Sequence, residues 1–228
     1  MMACMSLVQY SSAFSFLSFY IADPAIRGQG IGYELWKTAL ASATAGTIGL
    51  DGVVDQQDNC RKSGFTLAHR NLRYGGVPTG LSSDPDWLTT FTAGHLDAIA
   101  AYDRTCFPAA RRAFLEFWLT SPGHLGVVSH SEEHLEGYGA IRPSRDGHKI
   151  GPLFSDTPAI AANIFDALVR RSGCESVCVD PPEPNAPAIE LCRKRGLSPV
   201  FETARMYRGP APELSLSQIY GITSFELG

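Results

Sequence analysis

Apolar residues open this chain in two dense runs, residues 4–10 and 14–21, separated by Ser11-Ser12. Their aromatic and branched composition predicts two strands joined by a turn. From Ile31 the period changes. Ile31, Leu35, Trp36, Ala39 and Leu40 recur at helical spacing, and the pattern fades at Gly46. A short strand near 47–50, a helix over 53–63 ending at Gly64, and a strand over 65–74 complete the first stretch. Residues 75–85, rich in Gly, Pro and Ser, carry no period and read as a linker. Beyond it the pattern predicts helices over 96–107 and 110–119 and strands over 125–129, 135–143 and 149–154. A helix capped by Asp156 or Thr157 then runs to near Gly173, its Ile160, Ile164, Phe165, Leu168 and Val169 repeating the spacing of the first helix. A strand over 174–179, a helix over 188–194, and strands over 200–207 and roughly 213–226 close the chain.

The two stretches are copies of one unit. Cys60-Arg61-Lys62-Ser63-Gly64-Phe65 is echoed by Cys192-Arg193-Lys194-Arg195-Gly196-Leu197 at an offset of 132 residues, and Arg73 meets Arg205 at the same offset. The expected organisation is therefore a tandem α/β chain, with domains at 1–80 and 86–228. The second copy begins near Trp87. Its counterpart in the first would fall before residue 1, so the first copy is expected to be N-terminally shortened or the chain a fragment.

The strand-to-helix junction carries the chemistry. Phe19 to Trp36 contains Pro24, Arg27 and glycines at 28, 30 and 32. Glycines there leave the first helical amides uncovered, and these join the positive end of the helix dipole in an anion site, with Arg27 at its mouth. No Gly-Lys-Ser/Thr follows, which excludes a P-loop. Tyr33 stands where a dinucleotide fingerprint needs its third glycine, which argues against an oxidoreductase half.

Ile21-x-x-Pro24 followed by Arg27-Gly28-Gln29-Gly30-Ile31-Gly32 resembles the acyl-CoA pyrophosphate loop of the GNAT superfamily of N-acetyltransferases. The resemblance covers nearly the whole chain and implies a mixed α/β (α+β) fold. Each of the tandem GNAT-like domains would be a twisted, mostly antiparallel sheet flanked by helices, with two strands splayed to admit the pantetheine arm. It also implies acetyl-CoA as co-substrate. Tyr20, Ile21 and Ala22 would contact the thioester and pantetheine through the main chain, while Arg27, Gly28, Gln29, Gly30, Ile31, Gly32 and Tyr33 would hold the pyrophosphate. The family's late-helix tyrosine, which protonates the departing thiolate, is replaced by Cys60, read either as the acid or as a buried filler. In the second copy Ser155 to Ala161 has no glycines, and Asp156 would repel phosphate. Only the first copy is expected to hold CoA.

Composition narrows partners and setting. The chain has 228 residues with a net charge of −4, and neither a basic block nor an aromatic-basic stripe suggests nucleic acid. No apolar run reaches spanning length, and no polybasic helix suggests a membrane surface. Six cysteines lack Cys-x-x-Cys or zinc-like His spacing, so no metal is expected, and free thiols suit a cytoplasmic protein. His124, His130, His134, Glu132 and Glu133 read as surface or loop residues.

An amine acceptor needs a base, and Asp51, just past a strand end, is the first choice, with Asp55 and His69 as alternates. Trp87, Tyr102, Phe107, Arg111, Arg112 and Trp118 are either core or acceptor pocket. The expectation is an acetyl-CoA-dependent N-acetyltransferase, monomer or homodimer, acting on a small amine by direct attack. The alternative is a non-catalytic acyl-CoA-binding or structural relative.

Overall fold

The computed structural model describes residues 2–132 and 134–228, so Met1 and Glu133 of the sequence reading lie outside the described residues. In chain order the elements are β1 (Ala3–Gln9), β2 (Phe14–Ala22), α1 (Ile31–Ser42), β3 (Thr47–Val53), α2 (Gln57–Lys62) and β4 (Thr66–Gly76). Then come β5 (Thr89–Thr90), α3 (Leu96–Cys106), α4 (Arg112–Thr120), β6 (Leu125–His130), β7 (Leu135–Ser144) and β8 (Gly147–Ser155). The chain closes with α5 (Pro158–Ser172), β9 (Val177–Val179), α6 (Ala186–Lys194), β10 (Ser198–Arg208) and β11 (Ile219–Gly221). Two 3₁₀ turns, Pro24–Ile26 and Val54–Gln56, flank the region of the glycine loop and the end of β3.

These elements form two compact units. The first comprises the described residues of Met1–Ala68 with Thr203–Pro212 and Phe225–Gly228; the second comprises His69–Glu202 and Glu213–Ser224. The boundary expected between residues 80 and 86 is thus not where the units divide. Hydrogen bonding explains the difference. Within the first unit, β3 takes the end of β10 as its antiparallel partner, from Thr203 opposite Val53 to Arg208 opposite Ile48. Within the second, the end of β4 pairs with β9, Tyr74 opposite Val179. Nor is the expected linker loose: Ser82 N–H donates to Asp166, Arg170 donates to the carbonyls of Leu81 and Ser82, and Arg171 pairs with Asp84.

In the first unit the sheet order is β1-β2-β3-β10, with β2 and β3 parallel and the other pairs antiparallel. Strand alternation puts Leu17, Ile48, Leu50, Ala204 and Met206 on one face. There they pack with Trp36 of α1, Cys60 of α2 and Phe65 in a single buried cluster. In the second unit the order is β4-β9-β8-β7-β6-β5, with β11 on β8; only β8 and β9 run parallel. Ile164, Phe165 and Leu168 of α5 and Leu191 and Cys192 of α6 cover that sheet.

The strand expected over 213–226 is mostly loop, with only β11 extended. Asn185 is the reason. Its side-chain amide donates to the carbonyls of Leu216, Ser217 and Ile219, which bends that segment away from a ladder. Of the residues left open between core and pocket, Phe107, Arg111 and Trp118 are buried, Tyr102 is half-buried, and Trp87 and Arg112 are exposed. Among the described residues no helix is long and apolar enough to cross a membrane, and no cluster of His, Cys, Asp or Glu could hold a metal ion.

Candidate active site

β2 and β3 start as neighbours and part company. Their parallel register runs from Phe14 opposite Thr47 to Leu17 opposite Leu50 and stops there, while β3 continues to Val53 on its other partner. The last residues of β2 therefore have main-chain groups on the β3 side without ladder partners, as an amide-bearing ligand arm requires. On its other side β2 bulges against β1: Ser18 faces Ser6 and Ile21 faces Cys4, so Phe19 and Tyr20 together oppose Met5. Phe19 carries the strain, at φ +51°.

β2 leads through the 3₁₀ turn into α1. Gly30 is the N-cap residue at φ +82°, and Gly28 stands at +78°, conformations that glycine adopts without penalty. No side chain caps α1, so the amides of Ile31, Gly32 and Tyr33 make neither an intrahelical bond nor a capping bond. The helix is twelve residues long, and its dipole adds to those uncovered donors. Arg27 is exposed, and its Nε donates to the Ala22 carbonyl at 3.3 Å, which holds the guanidinium at the mouth.

These features share one cleft of about 700 Å³, lined by Tyr20, Ile21, Ala22, Ile26, Arg27, Gly28, Gly30, Gly32, Tyr33 and Gln56. Eight of the ten residues expected at the cofactor are thereby brought together. Gln29 and Ile31 are not among the lining. Gln29 folds back, its side-chain amide donating to the Ala25 carbonyl, and Ile31 is half-buried at the start of α1. Sequence reading missed Ile26 and Gln56. Each sits in a 3₁₀ turn, and no spacing rule marks which residue of such a turn faces a cleft.

The two expected catalytic side chains are placed elsewhere. The Asp51 side chain is fully buried and takes two hydrogen bonds from Arg205, 3.0 Å from Nε and 2.8 Å from Nη2, so its carboxylate is committed to a structural pair. Cys60 is 6% exposed in the core under α1, and burial, only partly offset by Arg61, pushes its thiol pKa up. That is the filler arrangement and not that of a proton donor at a cleft. Of the alternates, Asp55 is exposed beside the cleft-lining Gln56, and His69 is half-buried on β4.

In the second unit the corresponding strand-to-helix junction is closed. Thr157 caps α5, its hydroxyl accepting from the Ile160 amide, and Asp156 takes hydrogen bonds from the Tyr102 hydroxyl at 2.6 Å and the Gln218 amide at 2.7 Å. A carboxylate and a capped first turn leave nothing there for phosphate.

Comparison with known proteins bears on the family and the fold. The family model of the acetyltransferase (GNAT) domain matches residues 99–221. A holothin acyltransferase of Pseudoalteromonas sp. (strain SANK 73390) is 32% identical over 227 residues, covering 99% of this chain and 77% of that one. An uncharacterised protein of Caenorhabditis elegans is 31% identical over 161 residues, covering 64% of this chain and 51% of its own. Among solved structures, a Pyrococcus horikoshii protein described as a candidate acetyltransferase superposes with a TM-score of 0.86 at 22% identity, over 100% of this chain and 76% of that one. A tandem GNAT protein from the clavulanic acid biosynthesis pathway superposes at 0.64 with 16% identity, over 92% and 80%. These two structures speak to the fold alone. Matched across nearly its whole length by a relative above 30% identity, and over residues 99–221 by the family model, the chain is a member of the GNAT acetyltransferase family, an acyltransferase enzyme.

Proposed function

We propose that the protein transfers an acetyl group from acetyl-CoA to the amine of a small acceptor by direct attack, with the cleft of the first unit as the cofactor site. The observation that carries this reading is the junction of two features in one cleft: the unladdered end of β2 and the uncapped N-terminus of α1. The β2 main chain suits the amides of a pantetheine arm, and the α1 amides with Arg27 suit a pyrophosphate. In the reaction the acceptor nitrogen bonds to the acyl carbon as the carbon–sulfur bond breaks. The amine proton passes to a base, and the sulfur leaves as thiolate to be protonated from solvent. Positioning of the two reactants supplies most of the acceleration, so no covalent enzyme intermediate is needed. With Asp51 committed to Arg205, we assign the base to Asp55, whose exposed carboxylate adjoins Gln56 at the cleft.

The second copy belongs to the same proposal as a tandem partner whose own cofactor mouth is closed by Thr157 and Asp156. Free cysteines throughout the described chain favour a cytoplasmic setting. The test is calorimetric titration with acetyl-CoA of the parent and of Gly30→Glu, followed by thiol release from acetyl-CoA in the presence of a panel of small amines. Binding by the parent that disappears in the variant, with amine-dependent thiol release, supports the reading. A folded parent that binds no acetyl-CoA overturns it in favour of a structural relative.

A further inference from the structure

One glycine of the cradle is not required by its own backbone. Gly28 and Gly30 need positive φ, and a Cβ at either would meet nothing within 4 Å. Gly32 is the reverse case: it lies within α1, and a Cβ there would stand 2.5 Å from the Tyr20 hydroxyl oxygen and 3.3 Å from Cζ. What Gly32 makes room for is a tyrosine.

The position of that tyrosine is itself built. The bulge at Phe19 and Tyr20 turns the strand, and the Tyr20 ring settles at 5.6 Å from the Trp36 ring, tilted by 58°. Trp36 is in turn held by a hydrogen bond from its indole N–H to the Ser63 hydroxyl and by a ring contact with Phe65 at 5.9 Å. The phenol therefore reaches the first turn of α1 from a fixed base. Its hydroxyl has no hydrogen-bond partner among the described residues, although it lies against a turn whose amides at Ile31, Gly32 and Tyr33 are also unpartnered. A phenol hydroxyl is a strong donor to a phosphate oxygen. Arg27, another side-chain donor at this mouth, spends its Nε on the Ala22 carbonyl.

We infer that Tyr20 is a phosphate ligand through its side chain, its hydroxyl donating to the anion held by the α1 amides, and that residue 32 is glycine to admit it. This rests on the acyl-CoA reading of the cleft. It departs from a purely main-chain role for Tyr20, and it gives the third glycine a function in seating a donor.

The experiment uses the full chain and two probes, coenzyme A and pantetheine, the second lacking the phosphates. In Tyr20→Phe the ring keeps its contact with Trp36 and only the donor is lost. Affinity for coenzyme A should fall about tenfold, the scale of one hydrogen bond to a charged acceptor, while affinity for pantetheine stays unchanged. Gly32→Ala should weaken coenzyme A binding strongly in the parent chain and less when combined with Tyr20→Phe. The severe approach, 2.5 Å, is to the hydroxyl, while Cζ at 3.3 Å has to give by only a few tenths of an ångström. Equal coenzyme A binding by parent and Tyr20→Phe overturns the inference, as does an equal loss for both probes, which marks a packing role. A folded parent that binds neither probe overturns the acyl-CoA reading as well, an outcome distinct from either of those.

Discussion

Arg205 holds Asp51 through two parallel N–H···O bonds, with both side chains almost fully buried in the first unit. A buried pair of this kind contributes little over a well-packed apolar substitute, but breaking it from one side strands a charge. Asp51→Asn should therefore lower unfolding free energy by about 3 kcal/mol. The double change Asp51→Leu with Arg205→Met should recover most of that loss. Urea titrations of the three chains check this. An Asp51→Asn enzyme of unchanged stability but lost turnover would return Asp51 to a catalytic role.

The second unit carries a related knot. Asp180 accepts two hydrogen bonds from Arg73 at 2.8 Å and pairs with Lys149, and both Asp180 and Lys149 are buried. Burial pushes the Asp180 carboxyl up, but the Lys149 and Arg73 charges outweigh burial and hold it below the usual carboxylate range. A depressed folded pKa means that the contribution is complete above the unfolded value, about 3.9, and fades as pH falls through the folded value. Stability measured by urea at pH 6, 4 and 3 should fall across the acid end. Asp180→Asn should start lower and show a shallower slope there.

Cys60 gives the third prediction. Its thiol sits with Trp36, Leu50 and Phe65 in the core, and burial holds it protonated. Cys60→Ala should leave turnover within about twofold and cost about 1 kcal/mol of stability, the scale of a small cavity. In the native protein this thiol should react with an aromatic disulfide only at the rate of unfolding. Turnover that collapses in a stably folded Cys60→Ala would assign it the proton.

The contrast between these residues and the glycine loop shows what a sequence can disclose. The strand–turn–helix form of the loop was legible because its signals are local: Pro24, Arg27 and three glycines fall within a dozen residues, and the elements around them follow period alone. The two segments that the sequence aligns at a 132-residue offset lead into strands of equal length, β4 and β10, each of eleven residues. The pairing of Asp51 was not legible because its partner lies 154 residues away on β10. Alternation along β3 puts Ile48 and Leu50 on one face and Asp51 on the other, but it does not say what that other face meets. The tail failed for a similar reason, since the amide that bends it belongs to Asn185.

The glycines themselves separate backbone strain from ligand binding. Gly30 at φ +82° and Gly173 at φ +64°, the C-cap of α5, are alike in two respects: each is left-handed, and at neither would a Cβ meet an atom within 4 Å. Alanine at either position therefore incurs the same penalty, about 1–2 kcal/mol for a left-handed non-glycine residue, and no clash. Their surroundings differ. Gly30 sits before amides that no side chain caps, whereas Gly173 ends a helix far along the chain whose own start is capped by Thr157. Gly30→Ala and Gly173→Ala should thus lose similar stability by thermal or urea unfolding, and only Gly30→Ala should weaken acetyl-CoA binding, as the loop shifts to relieve its strained φ. Equal binding by the two variants would mean that the conformation of Gly30 serves the fold and not the anion.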